Sequence, residues 1–420
     1  MRPGSLSSSR HLAGTTKPGL LDGVARKAVL DRLAQLTEGR LTLVEGDAVH
    51  PFGDRTASDL AAEITVHDAR FYVEVAFGGE IGSGEAWMHG YWDCDDLVAL
   101  VRILLRNRAV LDGMEGGLAR LTAPLQKLFH RLHRNSRSGA RRYIAAHYDL
   151  GNEFFGLWLD ETMMYSAAIF AEPDMSLYDA QVHRLDHICR RLDLQPEDHV
   201  IEIGTGWGGF ALHAAQHYGC RVTTTTISNE QYRKAGERIA AAGLADRVTL
   251  LQDDFRDLSG QYDKLVSIEM IEAVDHAQLP AFFRKCGELL APHGAMLIQA
   301  ITMADQRYDE YRTSVDFIRR YIFPGGNLPS TAVMTDLAAR ETDLRLLGLE
   351  DIGLHYATTL EHWRRNFLAQ VDAVREQGYP EAFIRMWLFY LCYCEGAFRE
   401  RAISDVQMLW TQPACRLRTL

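Results

Sequence analysis

Two glutamates three residues apart, Glu269 and Glu272, follow an apolar run that ends at Ile268. Carboxylates at that spacing share a face if a helical turn begins there, and together they can accept a proton or steady a positive centre. A second segment suited to chemistry lies upstream, where residues 200–209 read VIEIGTGWGG. A buried strand running into Gly204, Thr205, Gly206 and Gly208 lets the backbone turn tightly and approach a ligand with no side chain between. The loop alone suits either a dinucleotide or S-adenosylmethionine (SAM). Glu202, just before the glycines, is placed to take an ammonium group or to order the turn. The next strand ends in four threonines, 223–226, with no acid at its tip to hold a ribose diol, so the usual NAD signature is missing. After the third strand come Gln252, Asp253, Asp254 and Phe255, where an acid beside an aromatic ring can accept from an adenine amino group. These features favour SAM over NAD.

The elements that must hold these groups follow from periodicity. Strands are expected at His199–Ile203, 221–226, Val248–Leu251, 264–268 and 296–301, with helices between them at 208–217, 230–242 and 279–290. That alternation predicts a mostly parallel α/β sheet covered by helices on both faces. A smaller α/β domain is expected over 20–115, with strands at 41–44, 63–66 and 71–75 and a helix at 95–105. Residues 1–19, polar and rich in Gly and Ser, read as a disordered tail. Residues 116–146 differ in character. No acid occurs between Glu115 and Asp149, seven basic residues do, and Leu118, Leu121, Leu125, Leu128 and Leu132 recur at helical steps. That pattern suits either a solvated linker helix or a surface helix resting on anionic lipid headgroups. The catalytic domain then runs over 147–420, its end helical and rich in aromatics.

Composition sets the outer limits. The 420 residues include 45 Lys+Arg against 56 Asp+Glu, a net charge of -11, which argues against bulk nucleic-acid binding. No apolar run approaches the ~18–20 residues of a membrane span, and no secretory signal is evident. The seven scattered cysteines read as reduced thiols in a cytoplasmic compartment, and Cys392 and Cys394 lack the companions that zinc needs, so no metal is expected.

Six ordered motifs carry a resemblance: HYDLGNEFF at 147–155, MYS at 164–166, EIGTGWG at 202–208, SIEMIEAV at 267–274, FPGGNLPS at 323–330 and YLCYCEGAF at 390–398. Together they resemble the cyclopropane-fatty-acyl-phospholipid synthase family, and GSGEAWMHGYW at 82–92 is similar to the N-terminal domain of its full-length bacterial members. The likeness spans about residues 70–402. It implies a class I SAM-dependent methyltransferase fold with a seven-stranded sheet, acting on a cis double bond in a membrane phospholipid. It also implies peripheral association with the inner face of the membrane and a homodimer. By position it implies SAM binding by Tyr165, Ser166, Gly204 to Gly208, Thr226, Gln231, Asp253 and Asp254. Glu272 and Tyr356 match residues that hold a bicarbonate ion in family members, and Cys394 falls where the family often carries an active-site cysteine. A thiol in an apolar helix is otherwise ordinary core packing.

Three positions depart from the pattern. The resemblance implies Cys at 167, Gly at 269 and a bicarbonate-holding His at 299, where this chain has Ala167, Glu269 and Gln299. These changes resemble a subgroup that includes plant-type synthases and bacterial fatty-acid methyltransferases. The expectation is that Glu269 supplies the charge or proton acceptor that bicarbonate supplies elsewhere, oriented by Gln299 and Tyr356. An alkene that attacks the SAM methyl leaves a carbocation. Proton loss from the new methyl with ring closure gives a cyclopropane, whereas a prior hydride shift gives a methylene-branched chain. A furan-precursor methylation and a non-catalytic lipid-binding protein are the remaining alternatives.

Overall fold

The computed structural model describes residues 20–54, 58–116 and 150–417. The tail 1–19 and nearly all of the basic segment 116–146 lie outside the described residues. The chain divides into two compact units.

The first unit joins residues 20–54 and 58–116 to two later segments, Val315–Tyr321 and Gly378–Glu400. Its sheet has the order β2-β1-β3-β4, with β1 Gly39–Glu45, β2 Ala48–Asp54, β3 Ala61–Val66 and β4 Trp92–Cys94. β1 pairs with β2 through an antiparallel hairpin and with β3 in parallel. The strand expected at 71–75 is instead the start of the helix Arg70–Met88. Phe71, Tyr72, Val75 and Ala76 are buried together, a helical face that five residues of F-Y-V-E-V also allow to be read as alternation. This helix breaks at Gly79, whose φ of 56° and ψ of -134° only glycine adopts without strain. The helix expected at 95–105 is Leu97–Arg106, started by Asp96, whose side chain accepts from the Ala99 N–H at 2.8 Å.

The helix Glu381–Arg399 belongs to this first unit, not to the sheet domain in which the motif order places it. Arg385 anchors it. Its guanidinium lies 4.1 Å from the Trp87 ring centroid, donates to the carbonyls of Trp87 and Trp92, and pairs with Asp93 at 2.8 Å. Cys394, Phe389 and Tyr390 therefore sit in the first unit.

The second unit holds residues 150–314, Ile322–Gln377 and 401–417. Its strands are β5 His199–Ile203, β6 Arg221–Thr225, β7 Val248–Leu251, β8 Tyr262–Ile268, β9 Leu290–Met303, β10 Arg345–Asp351 and β11 Ile403–Thr411. They form a seven-stranded sheet in the order β10-β11-β9-β8-β5-β6-β7, in which β11 alone runs against the rest. Alternate residues face two cores. Ile201, Ile203, Leu265, Met296, Ile298 and Trp410 pack with Phe282 and Phe283 of the helix Leu279–Leu289. Val200, Val222, Val248, Val266 and Leu297 pack with Leu185 and Ile188 of the helix Leu177–Arg191 and with Phe210. Burial on both faces is why these strands read as continuous apolar runs. The carboxyl ends of β5, β6, β7 and β8 open at one edge of the sheet, where ligands of such folds bind.

Candidate active site

Strand β5 delivers the glycine loop to that edge. Gly204, Gly206 and Gly208 have φ of 106°, 53° and 86°. The Gly204 and Thr205 N–H groups both donate to the Thr225 carbonyl, at 3.1 and 3.0 Å, which ties the loop to the end of β6. Glu202 orders the turn from below: Thr224 Oγ1 donates to Glu202 Oε2 at 2.6 Å and lies 2.6 Å from Thr205 Oγ1. Burial pushes the Glu202 carboxyl up to about 8. A Cβ on Gly206 would meet no described atom within 4 Å. The loop thus borders open space, as close backbone approach to a ligand requires.

The neighbouring strand ends divide into free and committed groups. Thr226 Oγ1 donates to Gln231 Oε1 at 2.8 Å, and both residues are buried around Ser228, which caps the helix Asn229–Ala241. Asp254 is buried and held by Arg256, whose Nε donates to Oδ1 at 2.7 Å. Asp253 is exposed, and its carboxylate makes no hydrogen bond among the described residues. The sequence could not separate these two acids. The structure leaves Asp253 available to a ligand and occupies Asp254. Ser166 is likewise committed: its hydroxyl accepts from Arg184 Nη2 at 2.8 Å and its carbonyl from Gln181 Nε2 at 2.8 Å. Tyr165 lies among Phe155, Trp158, Phe323 and Trp363, with ring centroids 5.3–6.3 Å away.

Glu269 follows β8 and is the meeting point of the predicted catalytic set. Its Oε1 accepts from the Ala167 N–H at 2.8 Å and from Gln299 Nε2 at 2.7 Å, and its Oε2 accepts from Tyr356 Oη at 2.7 Å. The backbone there has φ of 47°, a left-handed conformation that suits the glycine expected at this position and strains a glutamate by about 1–3 kcal/mol. Three hydrogen bonds hold the side chain in spite of that strain. Burial pushes its carboxyl up, and the Ala167 N–H and Tyr356 hydroxyl restrain the rise.

Glu272 lies in the single turn Ile271–Ala273, close enough for the two charges to act on each other. Its Oε1 accepts from the Ile301 N–H at 2.5 Å, and its Oε2 is buried with no hydrogen-bond partner. Burial first, and then Glu269, push its carboxyl up to about 8. A carboxyl raised in the folded state contributes stability that is complete below its unfolded pKa of ~4.3 and is lost as pH rises through the folded value. Glu272→Gln should therefore gain thermal stability over the parent progressively between about pH 5 and pH 8, by an amount on the order of several kcal/mol, in melts followed across pH.

Two members of this cluster carry no sequence signal. Arg184, in the helix Leu177–Arg191, is fully buried, and burial lowers it to about 10 against the opposing charges of Glu269 and Asp405. Asp405, in β11, is fully buried and accepts from Gln299 at 3.0 Å. Their neighbours are distant in sequence, and only the sheet order brings them together. Cys394 belongs to the first unit and the cluster to the second. Burial pushes its thiol up, and its charged neighbours among the described residues, Asp316 and Glu80, are acids that disfavour a thiolate.

A bicarbonate ion fits these residues poorly. The donors that would hold it, Gln299 Nε2 and Tyr356 Oη, are spent on Glu269. The glycine loop, its open space and the exposed Asp253 do fit SAM.

The family model for mycolic acid cyclopropane synthetase matches residues 135–408. The chain belongs to this family. It is thus a SAM-dependent methyltransferase of class I fold. It is 39% identical over 341 residues to the tuberculostearic acid methyltransferase of Mycobacterium tuberculosis, covering 79% of this chain and 78% of the relative. It is 35% identical over 354 residues to the cyclopropane-fatty-acyl-phospholipid synthase of Escherichia coli, covering 84% and 88%. Among solved structures, a mycolic acid cyclopropane synthase complexed with SAH and CTAB is 28% identical with a TM-score of 0.61, covering 64% of this chain and 98% of that one.

Proposed function

We propose that this family member transfers the methyl carbon of SAM to a cis double bond in the acyl chain of an unsaturated phospholipid, by way of a carbocation that gives up a proton to Glu269. The observation that carries this reading is the half-buried Glu269 carboxylate, held by Ala167, Gln299 and Tyr356 just beyond the end of β8. SAM, when bound, supplies an electrophilic methyl group. The chain's own residues do the rest. The glycine loop and Asp253 hold the nucleoside end, and the bonded pair Thr226 and Gln231 shapes the wall beside them. The rings of Tyr165, Phe323 and Trp363 exclude water, which would trap the cation, and turn π faces toward positive charge. Glu269 takes the proton at a carboxylate oxygen, and Glu272 stands beside it. Closure of the ring then gives a cyclopropane, the product named for the Escherichia coli relative.

A methylene-branched product is the second reading; a saturated methyl branch would require a further two-electron reduction by a separate hydride donor. Glu269 and Gln299, in place of the glycine and histidine that the resemblance implies, favour this second reading, as does the name of the 39% identical tuberculostearic acid methyltransferase. Here a hydride shift precedes loss of the proton. The two products are isomers, so mass does not separate them. Incubation with SAM and monounsaturated phospholipid vesicles, then proton NMR of the extracted lipid, distinguishes high-field ring protons from vinylidene protons. Unchanged lipid in the presence of SAM turnover would remove both readings.

The substrate resides in a bilayer, yet no helix of the described residues is long and apolar enough to cross one. Peripheral attachment is therefore part of this reading. The basic segment 116–146 is its candidate contact, and charge attraction to anionic vesicles should weaken with salt.

A further inference from the structure

Next to Glu269 lies a carboxyl that the reaction above does not use. Asp405 is fully buried in β11. Its Oδ2 accepts from Gln299 Nε2 at 3.0 Å, and the same nitrogen donates to Glu269 Oε1 at 2.7 Å. The Gln299 amide cannot flip, because its Oε1 accepts from Gln407 Nε2 at 3.0 Å. One amide NH2 thus bridges two carboxyls. Asp405 Oδ1 has no hydrogen-bond partner, and neither does Glu272 Oε2.

The charged and titratable groups that act on Asp405 come from three sides: Glu269 and Glu272 after β8, and Arg184 from the helix Leu177–Arg191, with Tyr356 reaching Glu269 from the helix Gly353–Ala369. Arg184 donates through Nη2 to Ser166 and Gln181, while its Nε and Nη1 have no hydrogen-bond partner. Its charge is felt by Glu269 and Asp405 without a direct ion pair. Two carboxyls sharing one amide, with no cation in hydrogen-bond contact with either among the described residues, resist carrying two charges at once. Glu269 has three donors and Asp405 has one, so the charge belongs on Glu269.

We propose that Asp405 is a positioning residue that keeps a proton and thereby leaves the negative charge of this cluster on Glu269, where the substrate proton is received. This rests on the reading of Glu269 as the acceptor. The substrate cation loses its proton to a Glu269 oxygen, while Asp405 holds its own proton throughout.

Asp405→Asn carries the shape of the protonated acid without the ability to ionise. The full chain, assayed with SAM and monounsaturated phospholipid vesicles across pH, should lose turnover on the alkaline side as Asp405 ionises against Glu269. In Asp405→Asn that limb should move up by about one pH unit or more. Infrared spectra near neutral pH should show a protonated-carboxyl C=O band in the parent that is missing from Asp405→Asn. Superimposable pH profiles, or spectra with no such difference, would overturn the proposal. Should the amide variant fail to fold, Asp405→Ser takes its place, with the same infrared band expected to be missing. Full turnover in Glu269→Gln would defeat the acceptor reading instead, and the infrared difference would still decide the protonation of Asp405.

Discussion

Glu269→Gln is expected to lower methyl transfer to lipid by about 10²–10⁴-fold in a chain that still folds and binds SAM. The amide can reproduce the hydrogen bonds. Its oxygen accepts from Ala167 and Gln299 as Oε1 does, and its nitrogen faces Tyr356 Oη, which can accept. What disappears is the charge and the basic lone pair. A lost structural contact would instead appear as lost stability with turnover per folded molecule preserved. Glu269→Gly sharpens the experiment. Glycine adopts φ of 47° without strain, and its introduction removes the carboxylate to which the Ala167 N–H, Gln299 Nε2 and Tyr356 Oη donate. Added formate or bicarbonate should then restore part of the turnover in Glu269→Gly and none in Glu269→Gln, where the amide still fills the site. Turnover of Glu269→Gln equal to the parent would end the role assigned to this carboxylate.

Gly206→Val is expected to weaken SAM binding by about 100-fold or more, measured by calorimetric titration, in a chain that still folds. The position has φ of 53°, so a β-branched residue adds backbone strain of about 1–3 kcal/mol. It would not collide with the described protein, because a Cβ there meets nothing within 4 Å. The added methyls enter the space that the loop leaves for its ligand. Gly204 is a poorer probe: a Cβ there would press on Met270 at 3.0 Å, so fold and binding would fail together. Undiminished SAM affinity in Gly206→Val would mean that the cosubstrate lies elsewhere.

Much of this architecture was legible in linear order. The strand His199–Ile203 falls where the apolar run places it, because a strand buried on both faces has no alternation to misread. The misread segment, residues 71–75, shows the opposite case. Five residues with mixed apolar and polar positions satisfy two periods, and packing against the rest of the first unit chooses the helix. The edge strand Arg345–Asp351 was missed because three of its leucines are exposed, so it lacks the signature of a buried strand.

The sequence by itself determined the glycine loop and the pair Glu269 and Glu272, since these are properties of residue type and of position relative to strand ends, while the companionship of Gln299 and Tyr356 came from the resemblance of the motifs. Tertiary structure alone decided which groups are free and which are already engaged: Asp253 against Asp254, and Glu269 held by three donors while Asp405 shares one of them. The reason is physical. A hydrogen bond or a buried charge depends on neighbours that may be more than one hundred residues away in the chain, as Gln299 and Asp405 are, and no local pattern records them. Arg184 and Asp405 look like ordinary surface charges in the sequence; burial beside one another's neighbours is what makes them part of the site.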